Sequence, residues 1–334
     1  MAAKTKSAWR VAALLGAVIA LLVLLPGCAQ EQAAPKNWPA QDITLIVPFK
    51  PGGGFDLQAR LIAPFLEKNL PLKVNVIVKN VDGAGGKMGA VEISKAKPDG
   101  YTIGIVGREA VAFMGANGEL DLDPVTWSWL GQVSGDPLVV AIFTAGKYKT
   151  LADMKGQDIR FGVTSEMLPS AVVMGQAIGM KVRPVLFSGS GDAILAAMRG
   201  DLDAVTFSFP TMMKGVEDSQ GKLTALFAAS DKRLDVAKNV PTLSELGVKL
   251  DMSSASVIAT SRVLVGPPNM DPAIKSLLET AIAKSMKDPD FLAQMAKAKQ
   301  YPNYADAAGA QAAVKAAKDA YAPVMSLLKP FLTQ

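Results

Sequence analysis

Short apolar runs alternate with segments of helical spacing along this chain, and that order is the strongest constraint on its fold. In the first half, strand-like runs at 43–47, 73–80 and 101–106 enclose helix-like segments at 56–69 and 86–96. A β-α-β-α-β order places parallel strands side by side with helices on the faces of the sheet. This half therefore predicts an α/β unit built on a parallel sheet.

The second half repeats this order and then becomes helical. Its strand-like and helix-like segments, in turn, are 137–144, 150–156, 159–163, 169–179, 181–187, 191–200, 203–208 and 223–229. Helical patterns fill the chain after residue 270, where Asp271 and Pro272 form a helix start. Single cores stop growing near ~250–300 residues, so a chain of 334 residues predicts two domains.

The N-terminus has the pattern of an export signal. A basic start is followed by an uncharged apolar run at 11–25, which is shorter than the about 20 residues that a transmembrane helix needs. We therefore interpret 1–27 as a signal peptide. The sequence "LPGC" ends it and resembles a bacterial lipobox, which predicts a lipidated Cys28 and a polar tether over 28–40. The alternative is an ordinary signal peptide followed by an incidental cysteine.

Composition argues against several classes of function. The chain has no histidine and Cys28 is its only cysteine, so histidine-based catalysis, His or Cys metal sites and disulfides are disfavoured. The net charge of +5 falls to +2 without the three basic residues of the leader, and no basic run contains interleaved aromatics. We expect no enzymatic activity, no cofactor, no metal and no nucleic-acid partner.

Loops rich in glycine and hydroxyl groups follow the predicted strands. In open parallel sheets, ligands bind beyond the carboxyl ends of strands, where free N–H groups at helix N-termini favour anions. The loops in such positions are 48–56, 107–110, 164–170, 188–192 and 208–213. Each alone could be a plain turn, but their distribution over both halves predicts a ligand-binding cleft.

The first of these loops, "PFKPGGGFD", does not fit a nucleotide site. In the dinucleotide pattern Gly52 and Gly54 match, but Leu57 replaces the third glycine and no acidic residue ends the second strand. The segment "GAGGKM" also misses the phosphate-binding loop, because Val81 replaces its first glycine and Met88 its hydroxyl residue. A different anion is the better candidate.

The chain resembles a known receptor family in several separate segments. These are "ITLIVPFKPGGGFDLQAR", "VIVKNVDGAGGKMGA", "AKPDGYTIGI", "LFSGSGDAILAAMRGDLDAVTF" and "NVPTLSELG", in that order. Together they are similar to the extracytoplasmic solute receptors of tripartite tricarboxylate transporters, also called Bug-type or TctC-like receptors. The resemblance covers about residues 38 to 330.

This resemblance implies a type II periplasmic-binding-protein fold, in which two α/β domains close on a ligand about a hinge. Domain one would comprise 40–138 plus 258–334, and domain two 139–257. The crossings between them would lie near 137–140 and 256–260. The insertion of one domain into the other follows from the resemblance and not from the order of segments.

The resemblance also implies which residues face the ligand. Small carboxylates would be bound by loop amides, hydroxyls and bridging waters. The candidates are Gly53, Gly54, Phe55 and Asp56 from domain one and Ser188, Gly189, Ser190 and Asp192 from domain two. The remaining loops add Arg108, Glu109, Thr164, Ser165, Glu166 and Phe209. Asp56 and Asp192 are also placed to cap helices.

Two segments depart from the family pattern and leave the ligand open. "GREA" carries Arg108 and Glu109 where small or hydroxyl residues are usual, and "TSEML" carries Glu166. Arg108 either offsets the acids or pairs with a ligand carboxylate, or these side chains face solvent. An inward-facing Glu109 or Glu166 would favour a ligand with a positive or donor group.

The predicted function is therefore a monomeric, membrane-anchored receptor outside the cytoplasm. It would capture a small mono-, di- or tricarboxylate and deliver it to membrane permease subunits. The alternatives are a sensor subunit that presents its ligand to a membrane kinase, and a secreted enzyme that uses carboxylates or a Ser–Lys pair.

Overall fold

A computed structural model of the protein describes residues 37–234 and 237–332. The predicted signal peptide, Cys28 and most of the predicted tether lie outside the described residues. Within the described ranges, every helix is too short or too polar to span a bilayer.

Eleven strands in two sheets form the centre of the described fold. In chain order they are β1 (Ile43–Val47), β2 (Val76–Asn80), β3 (Thr102–Gly107), β4 (Ser128–Asp136), β5 (Leu138–Phe143), β6 (Asp158–Val163), β7 (Lys181–Leu186), β8 (Ala204–Ser208), β9 (Leu223–Ala228), β10 (Thr260–Gly266) and β11 (Pro302–Ala305).

The α-helices mostly follow these strands. In chain order they are α1 (Gly54–Asn69), α2 (Lys87–Ser94), α3 (Arg108–Ala116), α4 (Leu151–Met154), α5 (Leu168–Ile178), α6 (Ser190–Met198), α7 (Phe209–Asp218), α8 (Met252–Val257), α9 (Pro272–Ser285), α10 (Pro289–Lys297), α11 (Ala307–Tyr321) and α12 (Met325–Leu332).

The first sheet has the strand order β11-β4-β10-β3-β1-β2, and the second has the order β7-β6-β8-β5-β9. Pairing is parallel among β1, β2 and β3 and among β6, β7 and β8. In contrast, β10 and β4 pair antiparallel with their neighbours, and so does β5. The expectation of a parallel sheet is thus wrong for β5 and β9, and β4 and β10 lie in segments where the sequence predicted no strand. The chain passes from β4 directly into β5 and reaches β10 from the second sheet, so neither connection is a β-α-β crossover within one sheet.

One connection between the sheets is short, because only Pro137 separates β4 of the first sheet from β5 of the second. The return is longer, and residues 229–259, which include α8, lead from β9 to β10 of the first sheet. We call β4, β10 and Pro137 the hinge. The fold is the mixed α/β, two-sheet architecture predicted for a periplasmic binding protein.

Helix α1 shows how the local sequence positions the candidate site. Gly52 has a φ of +85°, a left-handed conformation that favours glycine and turns the chain from β1 into the helix. The helix then buries Phe55, Ala59, Ile62 and Leu66, which recur at helical spacing, against the first sheet. Its N-terminus is thereby fixed at the carboxyl end of β1, where the chain faces the second sheet.

Candidate functional site

The loop before α1 is braced by Asp56. The Gly52 N–H donates to Asp56 Oδ2 at 2.9 Å, and the carboxylate also accepts from Arg60 and from Asn80. Burial alone would raise the pKa of Asp56, but these hydrogen bonds hold it below its usual value. The oxygens of Asp56 therefore accept hydrogen bonds that fix the loop before the helix, as is common for an acidic residue in the first turn of a helix.

The amides next to this brace are free. The N–H groups of Gly53 and Gly54 make no hydrogen bond to any described residue, and Gly53 occupies the N-cap of α1 without a side-chain cap. Unpaired N–H groups at a helix N-terminus attract anions, because the helix dipole adds to their partial positive charge. Among the predicted residues, this end of α1 is therefore the best candidate for an anion site.

Loops from the two sheets meet across the cleft. Lys50 Nζ donates to Ser188 Oγ at 3.0 Å, which joins the loop after β1 to the loop after β7. A Cβ built on Gly85 would lie 2.6 Å from Ser165 Cβ, and one built on Gly54 would lie 3.3 Å from Thr211 Oγ1. The cleft is therefore closed in this structure, with glycine backbone from the first half facing hydroxyl residues from the second.

A buried arginine that sequence reasoning missed lies at the base of this cleft. Arg262, in β10, is 2% exposed. Its Nη1 donates to the Asp136 carboxylate, to Ser134 Oγ at 3.2 Å and to Gln300 Oε1 at 3.4 Å. Its Nη2 donates to Ser208 Oγ at 3.2 Å.

This arginine links the hinge to both sides of the cleft. Its guanidinium carbon lies 5.0 Å from the ring centre of Phe55 at the start of α1, within the range of a cation–π contact. Burial raises the pKa of Asp136, and the neighbouring Arg262 opposes that rise. The signal in the sequence was a single charge inside the otherwise uncharged strand "TSRVLVG", which indicates a buried and paired arginine.

Arg108 and Glu109 also turn into the protein. Arg108 pairs with Glu109 and donates to Gln132 Oε1 at 3.0 Å. The Glu109 carboxylate accepts from the N–H and the hydroxyl of Ser261, at 2.9 and 3.0 Å. Of the possibilities considered for Arg108, the structure thus shows the one in which it offsets a neighbouring acid.

Glu166 has a different environment from the other acids near the hinge. It is half-buried in the loop between β6 and α5 and makes no hydrogen bond or ion pair with the described residues. Desolvation raises the pKa of Glu166 to about 7, the positive charge of Arg262 opposes this rise, and Glu109 adds to it. The hydroxyl of Thr164, in the same loop, is buried and also lacks a partner in the described part of the chain.

The other predicted residues have varied positions. Gly189 is the N-cap of α6, which begins at Ser190, while Asp192 is exposed in its first turn and does not cap the helix through its side chain. Phe209 is 2% exposed and packs edge-on against Tyr301, with ring centres 5.2 Å apart.

The described residues offer no metal site, and a cavity beside the hinge lies apart from the glycine-rich loops. No group of three or more acidic or cysteine side chains among the described residues could hold a metal ion. A cavity of about 580 Å³ lies beside the hinge, with Arg108, Gln132, Asp136 and Lys249 in its lining and without Gly53, Gly54 or the 188–192 loop.

Comparison with known proteins defines the class. Residues 59–329 match the tripartite tricarboxylate transporter family receptor. Protein BugT of Bordetella pertussis is 27% identical over 286 residues, which cover 81% of this chain and 84% of BugT. The chain belongs to the tripartite tricarboxylate transporter receptor family, a family of periplasmic solute-binding proteins.

Solved structures agree with the fold. One described as a periplasmic transporter is 25% identical with a TM-score of 0.75, over 86% of this chain and 97% of that one. A Rhodopseudomonas palustris protein with adipate is 21% identical with a TM-score of 0.74, over 87% and 97%. MatC of the same organism, with bound malate, is 20% identical with a TM-score of 0.70, over 85% and 99%. These likenesses support the two-domain periplasmic-binding-protein fold.

Proposed function

We propose that this protein is a lipid-anchored receptor that captures a small organic carboxylate outside the cytoplasm and delivers it to a tripartite-type permease. The observation that carries the proposal is the pair of unbonded amides at Gly53 and Gly54, at the start of α1. The proposed hydroxyl partners are Ser188, which accepts a hydrogen bond from Lys50 of the loop before α1, and Ser190, the first residue of α6. The malate and adipate carried by fold neighbours support a carboxylate as the ligand.

In this mechanism the domains act as a hinged trap, with 40–138 plus 258–334 on one side and 139–257 on the other. A ligand carboxylate accepts from the Gly53 and Gly54 amides, and hydroxyls from the second domain complete its shell. Binding favours the closed state because only that state places both sets of donors around the ligand. The ligand is released unchanged, in keeping with a chain that has no histidine.

The test is a thermal-shift screen of purified protein, freed of co-purified ligand by unfolding and refolding, against mono-, di- and tricarboxylates. A ligand at a hundred times its Kd adds about 2.7 kcal/mol of stability, which a melting curve resolves. Mass spectrometry of the ligand before and after incubation checks that it is not turned over. No shift with any acid, or a chemically altered ligand, contradicts the proposal.

The anchor is tested separately. Cys28 is proposed to carry the lipid and to become the N-terminal residue once 1–27 is cleaved off. Expression with a labelled fatty acid should label the wild-type protein and place it in the membrane fraction. The Cys28→Ser variant should lose both the label and the membrane association. Membrane capture that survives this substitution contradicts a lipid at Cys28.

A further inference from the structure

The segment 299–301, which joins α10 to β11 of the first sheet, contacts both ends of helix α7 on the side of the second sheet. Lys299 Nζ lies 2.5 Å from Glu217 Oε2, near the end of α7, and forms an ion pair with it. The Tyr301 ring packs edge-on against Phe209, the first residue of α7, with ring centres 5.2 Å apart. One short segment of the first half therefore holds a whole helix of the second.

The residue between these two extends the contacts to the hinge. Gln300 is 3% exposed, and its Oε1 accepts from Arg262 Nη1 at 3.4 Å. The other terminal nitrogen of Arg262 donates to Ser208, the N-cap of α7. A movement of α7 away from the segment must therefore break an ion pair, an aromatic contact and a hydrogen bond of the buried arginine together.

The backbone of Lys299 has a conformation that disfavours a lysine. Lys299 follows Ala298, the C-cap of α10, and has a φ of +55°. The Gln300 N–H donates to Met295 O at 2.8 Å and closes the turn that ends the helix. Glycine is usual at this position, because a side chain is strained at a positive φ. The end of α10 does not require a lysine, and the contact that its side chain makes is the one with Glu217.

We propose that the segment 299–301 is a latch that favours the closed cleft before a ligand binds. Opening the cleft carries α7 away with the second sheet and separates it from Lys299 and Tyr301. None of the three side chains in the latch is a candidate ligand residue, so the latch acts on the balance of open and closed states. A larger closed fraction lowers the apparent Kd for any ligand of the closed cleft. The inference rests on the hinged movement of the proposed function and not on the identity of its ligand.

The test measures the open and closed populations without ligand. Spin labels on cysteines at Leu57 in α1 and Leu186 in β7, both exposed, report the distance across the cleft in a Cys28→Ser parent. The parent is freed of co-purified ligand, and the distances are read by electron–electron double resonance. It should show a closed population beside an open one. A parent with only the open distance overturns the latch.

Lys299→Gly removes the ion pair and suits the left-handed turn. The ratio of closed to open protein should fall about two- to fivefold, as expected for an exposed ion pair. Because glycine is favoured at this turn, damage to the end of α10 does not explain such a fall. The control Asn269→Gly changes another exposed residue with a left-handed backbone, at a φ of +60°, and should leave the ratio unchanged. An equal fall in both variants overturns the role of Lys299.

An exchange of charges tests the ion pair itself. Glu217→Lys places two cations together and should lower the ratio, and the addition of Lys299→Glu should restore most of it. The control Asp218→Asn breaks a pair with Lys214 that lies within α7 and should have no effect. Salt at about 0.5 M should lower the ratio of the parent but not that of Lys299→Gly, because both partners are more than half exposed and are screened.

The aromatic contact gives an independent measurement. Tyr301→Leu keeps an apolar side chain but loses the ring pair with Phe209, and the ratio should fall about two- to tenfold. The latch is overturned if Lys299→Gly and Tyr301→Leu both keep the ratio of the parent, or if the exchanged charges fail to restore it. These results leave the carboxylate receptor standing. A thermal-shift screen without any binding acid refutes the receptor and does not touch the latch, since the label distances need no ligand.

Discussion

Adjacent glycines in the loop before α1 provide the sharpest test of the closed cleft. A Cβ at Gly54 would lie 2.7 Å from Arg262 Nη2 and 3.3 Å from Thr211 Oγ1, whereas a Cβ at Gly53 would meet only Lys50 O at 3.7 Å. The first two distances are too short for unstrained contacts, and the third is an ordinary one. Gly54→Ala should therefore obstruct closure, and Gly53→Ala should not.

The expected effect follows from how firmly the arginine is held. Its two terminal nitrogens are hydrogen-bonded to Asp136 and Ser208, and the side chain is 2% exposed, so Arg262 cannot move aside freely. Overpacking of a buried site costs about 1–3 kcal/mol, which corresponds to a rise in the Kd of about 5- to 150-fold. Binding should weaken by that factor in Gly54→Ala and change by less than about twofold in Gly53→Ala.

Calorimetry with the tightest ligand of the acid panel measures this difference. Affinity is the better measure than melting temperature, because Gly53 is the N-cap of α1 and alanine is a poorer cap. Spin labels at Leu57 and Leu186, which are 40% and 54% exposed, report closure without a ligand. Both would be introduced as cysteines into a Cys28→Ser background. Equal affinity of the two alanine variants, with the same label distance, would refute the account of a closed cleft packed against Arg262.

Three further outcomes are expected. Arg262→Met should lose about 3–5 kcal/mol in urea unfolding because it leaves Asp136 buried without its partner, and adding Asp136→Asn should restore part of that loss. The pKa of Glu166 is raised to about 7 in the folded protein, so its protonated form favours folding and stability should fall by about 1–3 kcal/mol as the pH rises from 5 to 8. Glu166→Gln should flatten that slope. Lys50→Ala removes the bond to Ser188 and should speed ligand dissociation about two- to tenfold in stopped-flow measurements. An unchanged rate would show that this bond does not hold the cleft closed.

The strands that alternate with helices were predictable from the sequence, and the hinge strands were not. The run 43–47 is apolar except for Thr44, as expected where helices cover both faces of a parallel sheet. In β4, by contrast, Gln132, Ser134 and Asp136 are polar and nonetheless buried. Their burial comes from pairing with β10 and β11, far along the chain, and no local pattern records that pairing.

In the candidate site, too, some features were predictable from the sequence and others were not. Glycine-rich loops at strand ends were found because a tight turn needs glycine, and Gly52 does adopt a positive φ. The partners of the charged residues could not be found, since Arg262 meets Asp136 and Glu109 meets Ser261 across long separations in sequence. Arg108 and Glu109 stood out as departures from the family pattern. In the structure the two side chains form an ion pair, so their charges compensate each other.

The hinge and the cleft form one connected set of contacts. Arg262 bonds Ser134 and Asp136 of β4, so it ties together the two strands that carry the chain between the sheets. The same guanidinium bonds Ser208 at the start of α7 and lies against Phe55 at the start of α1. Any rotation that opens the cleft must therefore change the contacts of a buried charge. Because such a charge is costly to leave partly unpaired, closure should involve a change between discrete arrangements of this side chain and its partners.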